Sequence, residues 1–154
     1  MDIHTIILAG GKGTRMLSQK AKVLQVLGGI TMLNHVMTAA NKISNKISVV
    51  VGFDKEGVEE EIKKIGINAN TFLQKEQIGT ADAVKTTLKD IDKNEKILIL
   101  YGDVPLIKEE TLKKLCNQES DLSILTTNLE NPTGYGRTLK DKEKNVLGII
   151  EEKD

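Results

Sequence analysis

Residues 3–16 read Ile3-His4-Thr5-Ile6-Ile7-Leu8-Ala9-Gly10-Gly11-Lys12-Gly13-Thr14-Arg15-Met16. The first six form a largely β-branched run that stops at Ala9-Gly10-Gly11, so Ile3–Leu8 predicts a short buried strand. Three glycines in four positions let the main chain approach a ligand closely and aim several N–H groups at it. Lys12 and Arg15 add positive charge, which makes the loop a phosphate cradle in composition. It is neither a Walker A loop nor a dinucleotide fingerprint, since GxxxxGK[ST] and GxGxxG are both absent. A plain glycine-rich turn is the alternative, and the cations at a strand end weigh against it.

Strand and helix patterns alternate downstream of this stretch. Met32–Lys42 has Met32, Leu33, Val36, Met37 and Ala40 at helical spacing, and Lys46–Val51 is a second strand ended by Gly52. Lys55–Ile65 puts Val58, Ile62 and Ile65 on one helical face, with Gly66 as its C-cap. Ala69–Leu73 is a third strand, and Thr80–Leu88 a helix with Thr80 near its N-cap. Lys96–Leu100 is a nearly all-apolar strand, and Lys108–Asn117 a helix carrying Leu112 and Leu115. Leu122–Thr127 and Val146–Ile150 are later strands; Asn131–Arg137 breaks the alternation and predicts an antiparallel excursion. The alternation implies βαβ units, hence an α/β fold with a Rossmann-like mixed, mostly parallel sheet and helices on both faces. No repeat, low-complexity tract or linker divides residues 1–154, which read as a single domain. Open α/β sheets bind ligands outside the carboxyl ends of their strands. Attention therefore falls on the residues after Leu8, Leu73, Leu100 and Thr127.

Composition narrows the classes further. A length of 154 residues suits one ordinary domain. Lysine plus arginine count 22 and aspartate plus glutamate 22, so the broad attraction behind non-specific nucleic-acid binding is missing. Apolar runs such as Ile6–Ala9 and Ile97–Leu100 fall far short of the roughly 20 residues that span a bilayer. An acid stands where a secretory signal would carry a basic region. The single cysteine, Cys116, excludes an internal disulfide and a cysteine-based zinc site, and fits a reducing, cytoplasmic setting. With 39% apolar residues, two Tyr, two Phe and no Trp, the core must be aliphatic. Arg15 and Arg137 are the only arginines, and both sit in glycine-rich segments.

Two strand ends carry further chemistry. Tyr101-Gly102-Asp103-Val104-Pro105 places a carboxylate at the tip of a buried strand, where it needs a compensating cation. Magnesium prefers one or two carboxylates plus substrate phosphate oxygens. The competing reading, that Asp103 caps the helix near Lys108, is weakened by the intervening Pro105. Gln74 carries a donor and an acceptor on one amide, a pair that can meet O4 and N3–H of uracil. A surface glutamine alone says little, but Gly79-Thr80 opening a helix gives it context. His4, His35 and Cys116 have no partner at metal-ligand or triad spacing and read as structural or exposed. The charged run Lys55–Lys64 reads as a solvated helix face.

Five segments occur in one order: LAGGKGTRM (8–16) followed by Lys22-Val23-Leu24, QKEQIGTADA (74–83), ILYGDVPLI (99–107), NPTGYGR (131–137) and GIIEEKD (148–154). In them the chain resembles the uridyltransferase (pyrophosphorylase) domain of bacterial N-acetylglucosamine-1-phosphate uridyltransferases of the GlmU type, a sugar nucleotidyltransferase family. The resemblance implies a nucleotide-diphospho-sugar transferase fold and a reaction. UTP and N-acetylglucosamine 1-phosphate would give UDP-N-acetylglucosamine and pyrophosphate, with Mg²⁺, for peptidoglycan and lipopolysaccharide precursors. It implies that Leu8, Ala9, Gly10, Gly11, Gly13 and Thr14 hold the nucleotide, with Gln74, Gly79 and Thr80 at the uracil. Arg15 and Lys22 would be catalytic, at the leaving pyrophosphate and the α-phosphate. Asp103 would bind Mg²⁺, and Tyr101, Gly102, Gly136 and Glu151 would line the sugar pocket. The implied partners are UTP and a sugar 1-phosphate, with neither nucleic acid nor membrane, and self-association into a homo-oligomer is left open.

The chain departs from the family in two places. Ala21 stands where the family usually has proline before the lysine, so Ala21→Pro is expected to leave the fold unchanged and, if anything, raise activity. The chain stops at Asp154, whereas the family's domain runs further and supplies two asparagines, one to the metal and one to the sugar's acetyl group. The expectation is a domain holding the nucleotide-binding portion and the start of the sugar-binding portion. It would lack the C-terminal part of the fold and the β-helix acetyltransferase domain, with nucleotide binding outlasting catalysis. The rival readings are a nucleotidyltransferase for another sugar or base, and a non-catalytic nucleotide-binding remnant.

Overall fold

Ile3–Leu8 forms β1, and it lies between two parallel neighbours in a four-stranded sheet. The computed structural model describes residues 2–13, 18–143 and 145–151. Along the chain follow β2 (Val26–Leu27), β3 (Ile30–Thr31), α1 (Met32–Asn41), β4 (Lys46–Val51), α2 (Lys55–Ile65), β5 (Asn70–Leu73) and α3 (Thr80–Lys85). Then come β6 (Lys96–Tyr101), α4 (Glu109–Cys116), β7 (Arg137–Lys140) and β8 (Val146–Ile150). The sheet order is β5-β4-β1-β6, with every pairing parallel. The chain first builds outward from β1 to β4 and β5, then returns to place β6 on β1's other side. The order therefore reverses between β1 and β6, which in such sheets opens a crevice at the carboxyl ends.

Both sheet faces are covered, as the near-continuous apolar strands predict. Ile7, Val49, Val51, Leu98 and Leu100 pack against Leu33, Val36, Met37 and Ala40 of α1, Val58 and Ile62 of α2, and Leu112 and Cys116 of α4. Ile6 and Val50 face the other way, onto Ala83 of α3 with Leu8, Val84, Ile91 and Ile97 around them. Thr31 caps α1 through its Oγ1, which accepts the Asn34 N–H at 3.1 Å. Gly66 ends α2 in the left-handed conformation, at φ 74°. Gly79 occupies the cap position of α3, so Thr80 is the first helical residue; the helix ends at Lys85 and a 3₁₀ turn, Leu88–Asp90, follows.

The chain forms two compact units, Met1–Asn117 and Gln118–Asp154. In the second, β7 and β8 pair antiparallel, which is the excursion expected around Asn131–Arg137. Leu122–Thr127, expected as a strand, is not one. A strand needs a ladder partner for its N–H and C=O groups, and no described strand pairs with this segment, so Thr127 marks no strand end. The hairpin β2–β3 was not anticipated. It turns through Gly28-Gly29, whose φ values of 62° and 96° suit the tight turn that joins such strands.

His4 is structural. It is fully buried, with Nδ1 3.1 Å from Glu95 Oε2 and Nε2 2.8 Å from Ser48 Oγ. The Asp92 N–H, then Lys46 and His4, hold the Glu95 carboxyl below the usual range. His35 Nε2 donates to the Leu27 carbonyl at 2.8 Å, which ties α1 to the β2–β3 hairpin. Burial pushes the Cys116 thiol up, which disfavours the reactive thiolate. Among the described residues no helix is long and apolar enough to cross a membrane.

Candidate functional site

The carboxyl ends of the sheet strands surround a cavity of about 550 Å³. β1 leads into it through Gly10, Gly11, Lys12 and Gly13. Close backbone packing holds this loop in place. The Gly10 carbonyl accepts from the Phe53 N–H at 3.1 Å and from Gln77 Nε2 at 2.6 Å. A Cβ on Gly52 would come within 2.8 Å of that same carbonyl oxygen, so only glycine lets the two loops approach. Gly13 has φ 63°, and a Cβ there would lie 2.8 Å from Lys22 Cβ. The lysine stem thus runs along the glycine. Lys12 Nζ sits 5.4 Å from the centre of the Phe53 ring, a cation–π distance.

Lys22 begins the 3₁₀ turn Lys22–Leu24. Its Nζ donates to Asp103 Oδ2 at 2.6 Å. Asp103 reaches this position because Gly102 lets the end of β6 lie directly on the end of β1. The Gly102 N–H donates to the Leu8 carbonyl at 2.9 Å, and a Cβ at 102 would be 3.0 Å from that oxygen. With side chains 38% and 33% exposed, the pair contributes little to stability but compensates both charges at the cavity edge. Asp103 is the one carboxylate lining the cavity among the described residues. No described cluster of three or more His, Cys, Asp or Glu could hold a metal by itself. One carboxylate already paired with a cation, beside a loop built for phosphate, does fit Mg²⁺ shared with ligand phosphates.

Gln74 follows β5, and its N–H donates to the Val51 carbonyl at 2.9 Å. The side chain is only 7% exposed and forms part of the cavity wall. Its Nε2 donates to the Gly79 carbonyl at 3.1 Å and to Asp82 Oδ2 at 3.0 Å. Leu8, Val50 and Ala83 supply apolar wall on the α3 side of the sheet. The cavity thus combines an apolar wall with two amides, Gln74 and Gln77, two ammonium groups and a glycine loop. That combination suits a flat polar heterocycle carrying phosphates.

Leu8, Gly10, Gly11, Gly13, Lys22, Gln74, Gly79, Thr80, Tyr101 and Asp103 are brought together around this cavity. Ala9 and Gly102 stand behind it: Ala9 is buried and its N–H donates to the Val50 carbonyl. Thr14 and Arg15 lie outside the described residues. Gly136 and Glu151 belong to the second unit, where a Cβ on Gly136 would be 3.4 Å from Glu151 Oε2. Sequence reading missed Gln77, Asp82 and Asp54. Gln77 and Asp54 act on partners distant in the chain, and Asp82 looks like an ordinary first-turn acid, so none had a local signal. Asp54 also revises the expectation for Ala21→Pro. The Ala21 N–H donates to Asp54 Oδ2 at 3.0 Å, and Ala21 is fully buried. Its φ of −54° would accept proline, but the hydrogen bond would be lost.

Residues 5–148 match the MobA-like NTP transferase domain family. The bifunctional protein GlmU of Ruthia magnifica subsp. Calyptogena magnifica is 46% identical over 155 residues, covering 99% of this chain and 34% of that protein. GlmU of Francisella tularensis subsp. novicida (strain U112) is 45% identical over 157 residues, covering 100% of this chain and again 34% of that protein. The chain therefore spans about a third of the length of these curated relatives. HddC from Yersinia pseudotuberculosis superposes with a TM-score of 0.76 at 21% identity, over 98% of this chain and 69% of that one. Its complex with GMP-PN superposes with a TM-score of 0.75. At that identity the likeness concerns the fold alone.

Proposed function

Since the chain belongs to the MobA-like NTP transferase domain family, we propose that its cavity binds UTP and serves uridylyl transfer to N-acetylglucosamine 1-phosphate, with release of pyrophosphate. One observation carries the reading: the glycine loop, the Lys22–Asp103 pair and the buried Gln74 amide border a single cavity where the strand order reverses. The motif resemblance to uridyltransferases of the GlmU type supports uracil and this sugar, and the 46% identity to a GlmU protein supports that resemblance.

The work of the site is positioning and charge neutralisation, as in phosphoryl transfer generally. Backbone N–H groups of Gly11 and Gly13 bind phosphate oxygens. Asp103 would hold Mg²⁺, which would neutralise phosphate charge. Lys22 Nζ, released from Asp103, turns to the α-phosphate that the sugar phosphate attacks in line. Arg15 is proposed to steady the departing pyrophosphate. Gln74 reads the base, and Thr80 opens the helix beneath it. Tyr101 borders the sugar.

Gln74→Ala is expected to weaken UTP binding by about 1–3 kcal/mol, since it strands polar partners that the amide satisfied. A calorimetric titration checks this, and unchanged affinity would remove Gln74 from the base site. The reaction itself is tested by pyrophosphate release from UTP, CTP, GTP and ATP, each with a panel of sugar 1-phosphates. Release confined to UTP with N-acetylglucosamine 1-phosphate supports the assignment. Preference for another pair means a nucleotidyltransferase of different specificity. Nucleotide binding with no release from any pair means a remnant.

A further inference from the structure

A glutamine amide has nearly the same shape with its oxygen and nitrogen exchanged, so a free one turns to match donor or acceptor alike. Gln74 is not free. Its Nε2 lies 3.1 Å from the Gly79 carbonyl oxygen and 3.0 Å from Asp82 Oδ2. A carbonyl and an ionised carboxylate only accept, so both contacts demand the amide nitrogen. Turned over, Oε1 would face two oxygens and both bonds would be lost. Both hydrogens of Nε2 are thereby used, and Oε1 accepts from no other described residue. It sits beside Gly10, 3.4 Å from where a Cβ on that glycine would be. Gly10 and Gln74 both line the cavity, whereas Asp82 stands behind Gln74 on the first turn of α3.

We propose that Asp82 fixes the orientation of the Gln74 amide, so that the cavity offers a nucleobase a hydrogen-bond acceptor and selects bases with a ring N–H beside a carbonyl. Uracil has this edge at N3, thymine likewise, and guanine at N1. Cytosine N3 and adenine N1 present a lone pair at the same place and meet the oxygen's lone pairs. Asp82 is a positioning residue: it touches no ligand and acts only through Gln74. The inference rests on the reading of this cavity as a nucleotide site.

The test is calorimetric titration of UTP and CTP, each with Mg²⁺, into the chain and into its Asp82→Asn and Asp82→Glu variants, with circular dichroism as the folding check. Asparagine can accept from Nε2 or donate to Oε1, so it removes one of the two contacts that demand the nitrogen and leaves only the Gly79 carbonyl to hold the orientation; glutamate keeps the acceptor-only character. The expected result is UTP preferred over CTP by the unaltered chain. In Asp82→Asn that preference falls by about tenfold, the equivalent of losing one charge-assisted hydrogen bond, mainly because CTP binds better. Asp82→Glu retains the preference. A merely structural aspartate would weaken both nucleotides alike and leave their ratio unchanged, and that result overturns the proposal. Equal binding of UTP and CTP by the unaltered chain also overturns it while leaving the nucleotide site standing. Binding of neither nucleotide overturns the site reading, and the proposal with it. Should Asp82→Asn fail to fold, Asp82→Ser with the same two nucleotides decides, since a hydroxyl also accepts or donates.

Discussion

Asp103→Ala is expected to lower Mg²⁺-dependent pyrophosphate release by at least about 10²–10³-fold, the usual cost of removing one preorganised group that stabilises developing charge. No other described carboxylate lines the cavity, so nothing nearby can substitute. The fold should survive, because Asp103 is a third exposed and its pairing with Lys22 sits at the cavity edge. A magnesium titration of the residual rate checks the cause as well as the size. If the variant kept its full magnesium response, the metal would be held elsewhere and the role given to Asp103 would be wrong.

The second large effect concerns the scaffold. Leu33→Ala is expected to destabilise the chain by about 2–5 kcal/mol, the range for truncating a fully buried aliphatic side chain and leaving a cavity. Leu33 is 0% exposed and belongs to the core between the sheet and α1, α2 and α4. Four aromatic residues and no tryptophan leave this aliphatic layer without bulky side chains to close over the gap. Urea denaturation should show a lowered midpoint with an unchanged slope. Ile78→Ala, at a side chain 73% exposed, serves as the contrast and should shift stability by less than about 0.5 kcal/mol. Equal effects at the two positions would mean that the core is not where the packing places it.

Elements whose pattern is dictated by their own burial were legible in the sequence. Lys46–Val51 and Lys55–Ile65 form over the expected residues, because a fully buried parallel strand and an amphipathic helix each write their period into the chain. Leu122–Thr127 shows the limit: its apolar residues resemble a strand, but forming one depends on a neighbour that sequence periodicity does not supply. The loop Gly10–Gly13 could be read as a phosphate cradle from glycines and cations alone. That Gly52 must also be glycine could not, since the reason is the Gly10 carbonyl more than forty positions away. The pairing of Lys22 with Asp103 and the clamp of Asp82 on Gln74 were hidden for related reasons. Motif resemblance named Lys22, Asp103 and Gln74 as neighbours of one ligand, but it carried no information on which of them hold one another in its absence. Ala21 taught the same lesson in reverse: its backbone angles suit proline, and only the distant Asp54 carboxylate makes the N–H worth keeping.

The central claim is that the crevice between β1 and β6 is a UTP site. It is tested most directly by hydrogen–deuterium exchange on the 154-residue chain, with and without UTP and Mg²⁺. UTP should protect amides in three separate stretches, residues 9–13, 74–83 and 101–103, with CTP giving weaker protection of the same three. Absence of protection, or protection centred on α4 and the outer face of α2, would contradict the account.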